Sequence, residues 1–449
     1  MLSVSNAIDR LQTVIAAARA EGADAADAIY VGDHSTSVQV RLGKLEDVGS
    51  SEGEEIGVRL FFGTRSASVS TSDLAGDALA TAVQRAAAMA REAPEDPYAG
   101  LAPENMLMRA APDDFDLDDG GRSATPERLK AIALAVEDAA RAVPGITNSE
   151  GGSASIGRGT VALATSHGFA AGYTGTSYGM SVSVIAGSGT GMQRDYAWRQ
   201  ARYLADLEDP EAIGRRAGER AIARMNPTKL ASGAMPVLFD PRVGSSFLGH
   251  LIGAITGSAI ARKTSFLLDQ RGRRVFAPGI TIRDDPHRRR GMRSRPFDGE
   301  GLPTAPGAII NDGMLEGWLL DSASARQLGE TPTGHASRGT SGPPGAGTTN
   351  LYMEAGQQTP DALMADIRHG LYVSELIGHG VNPVTGDYSR GASGFLIENG
   401  RLGPPVAEIT IAGNLKDMFL NLTPASDLEF IRAVDVPTIR IDGMMVAGA

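Results

Sequence analysis

The 449-residue sequence predicts an α+β protein, with an N-terminal sheet-and-helix domain followed by a mostly β C-terminal domain. In the first half, apolar residues at helical spacing alternate with apolar residues at strand spacing, which indicates helices packed on a sheet. In the second half, short strand-like runs are separated by Asn-Gly and Asp-Gly, which favour β-hairpins. A helix stop at Asn226-Pro227 precedes a new buried strand, so the predicted domains span 1–230 and 231–449.

The N-terminal elements are predicted from their apolar periodicity. Helices are expected at residues 5–20, 73–92, 125–143 and 209–224, and Asp73 is expected to cap the second of them. Strands are expected at residues 28–31, 37–42, 55–62 and 66–71, with more strands between 146 and 192. The proline-rich, acidic connection 93–121 is predicted to cross the surface. The glycines at 187, 189 and 191 indicate a hairpin turn, because a phosphate-binding loop needs a strand-to-helix setting.

The C-terminal half is predicted to hold fewer helices and more hairpins. Strands are expected at residues 235–240, 351–354, 371–375, 436–441 and 444–446, and helices at 322–328 and 359–368. Residues 243–261 are consistent with one helix or a pair of short helices. A hairpin is expected around Asn311-Asp312-Gly313, between residues 309–310 and 318–320. Residues 264–307 show little regularity, and the Gly-, Ser-, Thr- and Pro-rich stretch 331–349 is predicted to be mobile.

Composition and charge argue against several functional classes. The net charge of −11 argues against a nucleic-acid surface, which needs a basic face. A local basic cluster around Arg288, Arg289 and Arg290 is expected to be solvated or to pair with acidic residues of a partner subunit. The chain has no cysteine for a disulfide or a thiolate metal site. It shows neither a membrane-spanning apolar run nor a signal peptide, so we expect a cytoplasmic protein.

The most informative stretch runs from His379 to Phe419. Asn399-Gly400 lies between two apolar runs and predicts a tight hairpin, because both turn residues must adopt positive φ. The small residues from Ser389 to Gly394 leave one strand nearly without side chains. Two interpretations stay open on spacing alone: another backbone approaches closely, or the strand forms a bulge or a sharp corner.

These residues also carry a family resemblance. The segments VNPVTGDYSRGASGFLIENG and EITIAGNLKDMF resemble the C-terminal signature of the TldD/PmbA family, on its PmbA (TldE) side. The segments EIGVRLFFGTRSASVSTSD (55–73) and RKTSFLL (262–268) resemble further parts of the same family, so the resemblance extends over nearly the whole chain. It implies one half of a two-subunit metallopeptidase. In such an enzyme the TldD subunit holds the metal in an HExxxH helix, and the PmbA/TldE subunit lacks that motif.

The corresponding stretch of this chain does not match a zinc site. An HExxxH site needs two histidines on one helical face and a glutamate that acts as general base. In FLGHLIGAITG (247–257), His250 is followed by Leu251 and Ile255 at the glutamate and second histidine positions, and no other register restores the motif. The resemblance also implies a cysteine ligand in catalytic subunits, and this chain has no cysteine. We therefore expect no catalytic residue, metal ligand or cofactor in this chain, and zinc in the partner subunit.

Three functional hypotheses follow, and whether the chain is an enzyme by itself stays open. The first, implied by the resemblance, is a non-catalytic subunit that forms a heterodimer with a TldD-type catalytic chain. Unfolded peptide would bind as an added strand on a sheet edge, and the chain alone would be able to form a homodimer. The second is a regulatory protein acting on DNA topology, after the family's older label of DNA gyrase modulator. The third is an independent hydrolase with an unrecognised site, although the sequence shows no Gly-x-Ser-x-Gly elbow in a strand-to-helix setting.

Candidate substrate-cleft residues are chosen by their position within the resembling segments. They are His250, Arg262, Asn350, Ser389 and Gly391.

Overall fold

The computed structural model describes residues 1–110, 112, 114–121 and 124–448, which form two large sheets with helices packed against them. This architecture confirms the predicted α+β class. In the described part of the chain, no helix combines the length and the apolar character needed to cross a membrane.

The first sheet has six antiparallel strands. Its strands are β1 (Ala25–Arg41), β2 (Lys44–Phe62), β3 (Arg65–Thr71), β4 (Ile146–Thr165), β5 (Ala170–Ala186) and β6 (Gln193–Ala201). Its helices are α1 (Val4–Ala20), α2 (Gly76–Glu92), α3 (Pro126–Arg141) and α4 (Pro210–Ala223). The strand order is β3-β2-β1-β4-β5-β6. Helices α1 and α2 cover one end of the sheet, and α3 and α4 cover the other, because each helix buries one apolar stripe.

Three N-terminal predictions need correction. Strand β1 is continuous where two short strands were predicted, because its exposed polar middle stays paired with both β2 and β4. Asp73 does not cap α2: the N-cap residue is Ala75, and the Asp73 carboxylate accepts a hydrogen bond from its backbone N–H. The connection 93–121 does not simply cross the surface, since Leu107 and Phe115 are buried where it packs against the C-terminal half.

The C-terminal half contains most of the strands. They are β7 (Gly233–Phe239), β8 (Ile282–Asp284), β9 (Gly307–Asn311), β10 (Met314–Leu315), β11 (Ala336–Ser337), β12 (Gly345–Ala346), β13 (Leu351–Met353), β14 (His369–Ile377), β15 (Asp387–Glu398), β16 (Arg401–Asn414), β17 (Leu422–Pro424), β18 (Val434–Asp435) and β19 (Ile439–Ala447). The helices are α5 (Pro241–Ile255), α6 (Gly257–Ala261), α7 (Ser322–Leu328), α8 (Pro360–Met364) and α9 (Leu415–Leu420).

The main C-terminal sheet closes on itself. Its order is β16-β15-β14-β7-β19-β17, and β16 also pairs with β19. Asn399 and Gly400 have φ of 49° and 79° in the turn between β15 and β16, as the hairpin signal predicted. A smaller sheet has the order β10-β9-β8-β13-β18, and β11 pairs with β12.

Several C-terminal boundaries differ from the prediction. Strand β19 is one strand with a bulge between Ile441 and Met444, where two strands were predicted. In the hairpin around residue 312, β9 pairs with β10 rather than with residues 318–320. The helical stretch 243–261 is a pair of helices, because Thr256 is extended with φ of −66° and ψ of 141°.

The centre of the stretch 331–349 is docked between the two halves, which corrects the prediction of mobility. Arg338 is buried and forms an ion pair with Asp27 of β1 at 2.7 Å, and Arg59 of β2 pairs with the same carboxylate at 2.5 Å. A side chain at Gly57 would overlap the Thr340 carbonyl, so only glycine permits this approach. Burial alone would raise the pKa of Asp27, but Arg338 and Arg59 together lower it, which keeps the carboxylate ionised.

Candidate functional site

Helix α5 corresponds to the predicted position of the missing metal motif. It begins after Asp240, whose carboxylate accepts a hydrogen bond from the Arg242 N–H at 2.8 Å. One face of the helix is buried against the closed sheet and carries Phe247, Leu248, Leu251, Ala254 and Ile255. Gly249 and Gly253 are exposed on the other side, and a Cβ built on either would meet no atom within 4 Å. The helix therefore presents an open backbone face beside His250.

His250 lies at the border between these two faces. Its Nε2 is buried and has no hydrogen-bond partner among the described residues. Its ring stands edge-on to the ring of Tyr388, with 6.1 Å between the centroids. Burial lowers the pKa of His250 and the positive charge of Arg390 lowers it further, so the imidazole is neutral at pH 7.

Tyr388 and Arg390 share the face of β15 that points toward His250, because alternate residues of a strand share a face. Tyr388 is 1% exposed, its hydroxyl has no partner within the described part of the chain, and burial raises its pKa. The Arg390 Nε donates a long hydrogen bond of 3.5 Å to the carbonyl of Ile377, a residue that is 58% exposed. Sequence reasoning missed this tyrosine and arginine, although the strand alternation around Ser389 could have indicated them.

Ser389 and Gly391 lie on the opposite face of β15 from Tyr388 and Arg390. The Ser389 N–H donates to the Gly380 carbonyl at 2.7 Å, and a Cβ on Gly391 would lie 3.4 Å from the Ile377 side chain. Strand β15 is paired with β16 from Asp387 onward but with β14 only from Gly391 onward, and the segment around Gly380 lies beside Tyr388 and Ser389 instead. At Ser389 and Gly391 the backbone that lies beside this strand therefore belongs to neighbouring segments of the same chain.

The two interpretations of that strand are both realised at Gly394. The registers of β15 shift there against both neighbouring strands, which marks a bulge. A Cβ on Gly394 would overlap the carbonyl of Tyr372. The close approach is therefore to the neighbouring strand of the same sheet.

Asn350 and Arg262 have other surroundings. Asn350 is fully buried: its Oδ1 accepts from the Arg293 N–H at 2.9 Å, and its Nδ2 donates to the Asp285 carbonyl at 2.7 Å and the Ser294 hydroxyl at 2.8 Å. These bonds hold a loop together and reach neither α5 nor β15. Arg262 ends α6, where its N–H donates to the Ser258 carbonyl at 3.2 Å.

The residues of α5 do not fit a zinc ion. Leu251 and Ile255, at the glutamate and second histidine positions of the motif, are fully buried apolar side chains without a donor atom. Across the described residues, no group of three or more His, Cys, Asp or Glu is arranged to hold a metal ion.

The basic cluster pairs with acidic residues of its own chain. Arg289 and Arg290 both bond Asp116, and Arg290 also pairs with Asp206 at 2.9 Å. Tyr203 and Arg290 lower the pKa of Asp116 to about 2. Arg288 stacks on the ring of Phe430 at 4.1 Å. The cluster thus fastens the connection 93–121 to the C-terminal half.

Comparison with known proteins accounts for nearly the whole chain. Three family models match this chain: PmbA/TldA metallopeptidase domain 1 at residues 26–90, the central domain at 119–225 and the C-terminal domain at 232–448. The metalloprotease PmbA of Escherichia coli O157:H7 is 38% identical over 97% of this chain and 94% of its own length. A PmbA homologue of Haemophilus influenzae is 36% identical over 92% and 90%.

Solved structures share the fold. A proposed modulator of DNA gyrase from Bacteroides thetaiotaomicron superposes with a TM-score of 0.91 at 27% identity and covers both chains completely. TldE from Thermococcus kodakarensis superposes with a TM-score of 0.88 at 21% identity, over 98% of this chain and all of its own, which shows the fold alone.

A sheet-and-helix half joined to a closed β-rich half, with an α5 that lacks metal ligands, is thus the scaffold of a metallopeptidase-like protein. The chain belongs to the PmbA/TldD family.

Proposed function

We propose that this chain is the non-catalytic, PmbA/TldE-type subunit of a cytoplasmic two-subunit metallopeptidase that acts on unfolded peptides. The observation that carries the proposal is the burial of Leu251 and Ile255 in α5. Both side chains belong to the core of the closed sheet, so even a substitution by ligand residues would place the new side chains in an apolar interior. Catalytic zinc would then belong to a TldD-type partner, with which this chain forms a heterodimer.

The chain would contribute the surface around His250 to peptide binding. The open glycine face of α5 allows a backbone to approach, and Arg390 has no carboxylate within 4 Å among the described residues. A peptide can use both features, because its backbone can approach the glycine face and its carbonyl oxygens can accept hydrogen bonds from Arg390. His250, Tyr388 and Arg390 are therefore the proposed cleft residues.

The test measures zinc content and peptidase activity for this chain alone, for a TldD-type chain from the same cell, and for their mixture. The expected result is a metal-free, inactive chain that is required for a chelator-sensitive activity in the mixture. His250→Gln and Arg390→Gln should lower that activity, whereas Arg215→Gln, a change on the exposed face of α4, should not. Stoichiometric zinc in this chain, or an activity of the chain alone that chelators abolish, would refute the assignment. Activity of the chain alone that survives chelation would establish the independent hydrolase instead.

A role in DNA topology is the second candidate, favoured by the name of the Bacteroides structure. Direct contact with DNA would need a basic face, yet Arg289 and Arg290 are already paired with acids, and the net charge is −11. Tight DNA binding that falls steeply with salt and is lost on neutralising both arginines would support this function. Binding that is equally weak at every salt concentration would exclude direct contact.

A further inference from the structure

A cavity of about 260 Å³ lies where α4 of the N-terminal half meets the start of α5 and the loop before β18. Four arginines line it: Arg216, Arg220, Arg242 and Arg432. The cavity is smaller than the ~300 Å³ at which sites for drug-sized ligands begin, so only a small molecule or one end of a longer one fits inside.

Two of the four arginines are already neutralised by the protein. Arg216 pairs with Glu208 at 2.5 Å, and Arg242 pairs with Asp195 at 2.8 Å. These two residues form part of the wall, and their guanidinium groups are not free to bind a ligand.

The other two arginines are not paired in this way. Neither Arg220 nor Arg432 has a carboxylate within 4 Å in the described ranges of the chain. Arg432 donates one hydrogen bond, to the Pro241 carbonyl at 3.2 Å, and lies 5.3 Å from the centroid of the Trp198 ring. Arg220 makes no hydrogen bond to a described residue. Burial lowers the pKa of both groups, but an arginine stays protonated in proteins. The cavity therefore holds two positive charges with unused donors.

The four acidic residues that line the cavity already have other partners. Asp427 accepts from the N–H and the hydroxyl of Thr438 at 2.9 Å and 2.7 Å. Asp435 accepts from two backbone N–H groups, Asp240 caps α5, and Glu429 pairs with Arg199 at 3.5 Å. Four carboxylates thus stand beside four arginines in the lining, which disfavours a doubly charged anion more than a singly charged one.

We propose that Arg220 and Arg432 bind the carboxylate of a small molecule, such as the free C-terminus of a short peptide. The planar guanidinium group matches a planar carboxylate with two parallel hydrogen bonds. Because Arg220 belongs to the N-terminal half and Arg432 to the C-terminal half, the bound carboxylate bridges the two halves. This site is separate from α5 residue His250 and does not depend on the proposed peptidase role.

Calorimetric titration of the full-length chain tests the proposal with N-acetylglycine as the carboxylate, N-acetylglycinamide as its neutral counterpart, and inorganic phosphate. We expect N-acetylglycine to bind at least tenfold more tightly than either of the others. Arg220→Gln and Arg432→Gln should each weaken binding at least tenfold. Arg220→Lys keeps the charge but loses the two parallel N–H donors, so it should weaken binding less.

The matched control is Arg215→Gln on the same helix, which removes an exposed arginine paired with Glu211 and should change binding less than twofold. Circular dichroism checks that each variant is folded, and Arg220→Lys carries the test if the glutamine variant unfolds. The proposal is overturned if N-acetylglycine does not bind, if the amide binds equally well, or if the variants at Arg220 bind like the wild type. Tighter binding of phosphate would overturn the assignment to a carboxylate.

Discussion

Replacing Glu300 by glutamine should remove a pH-dependent loss of stability. Glu300 is 4% exposed, and its carboxyl group accepts hydrogen bonds from the N–H and the hydroxyl of Ser322 at 2.8 Å and 2.7 Å. Burial and the nearby charge of Asp298 raise the pKa of Glu300 to about 7, from the ordinary value of 4.5. Burial raises the pKa of Asp298, and the three backbone hydrogen bonds that its carboxylate accepts oppose this shift.

The sign and size of the effect follow from linkage. A raised pKa in the folded state contributes stability that is fully present below pH 4.5 and is lost as the pH rises through about 7. With a pKa of 4.5 in the unfolded chain and about 7 in the folded protein, the ionisation of Glu300 lowers the free energy of unfolding by about 0.8 kcal/mol at pH 5 and about 3.3 kcal/mol at pH 8. Glutamine keeps an acceptor for Ser322 and cannot ionise. The stability of Glu300→Gln relative to the wild type should therefore rise by about 2.5 kcal/mol between pH 5 and pH 8.

Urea unfolding of both proteins at several pH values measures this difference, and subtracting the two curves cancels the titration of all other groups. Glu95→Gln is the matched control, because it removes an exposed carboxylate whose pairing with Arg65 is worth at most about 1 kcal/mol. Parallel stability curves for the wild type and Glu300→Gln would refute the assignment of a raised pKa to this residue.

Further substitutions test the packing of the fold. Gly394→Ala should destabilise the chain by about 1–3 kcal/mol, because the new Cβ overlaps the Tyr372 carbonyl. Its control, Gly253→Ala on the open face of α5, should stabilise the chain by about 0.5–1 kcal/mol, and equal effects of the two in urea unfolding would contradict this geometry. Asp27→Ala should lower the free energy of unfolding by about 3–5 kcal/mol, since it leaves the buried Arg59 and Arg338 without their shared carboxylate. A loss under about 1 kcal/mol would show that water reaches this cluster of charges. Tyr388→Phe should leave thermal stability unchanged or raise it by up to about 1 kcal/mol, because the buried hydroxyl has no partner among the described residues; a clear loss would reveal a partner.

Short sequence patterns correctly predicted turns and helices whose formation depends mainly on residues next to one another in the chain. The turn at Asn399-Gly400 formed as expected because both residues tolerate positive φ, and helix α7 begins and ends at the predicted residues. The mismatch of Leu251 and Ile255 with a zinc motif could also be read from the sequence, because ligand spacing on a helix is a local property.

The candidate site was predicted only in part. His250 was named from its position in the helix, but its neighbours Tyr388 and Arg390 come from a strand more than a hundred residues away. Ser389 and Gly391 lie on the face of that strand opposite to the one that meets His250, because the register that decides which face meets α5 is set by the closed sheet.

The sequence by itself determined the α+β class, the positions of most helices and hairpins, and the absence of an HExxxH motif, because each depends on residues within a few positions of one another. Only the tertiary structure decided that β1 is one continuous strand, that Arg338 docks onto Asp27, and that Arg289 and Arg290 pair within the chain. These contacts join residues that are distant in sequence. Their energy comes from burial and from charge pairing across the two halves, which no local pattern records.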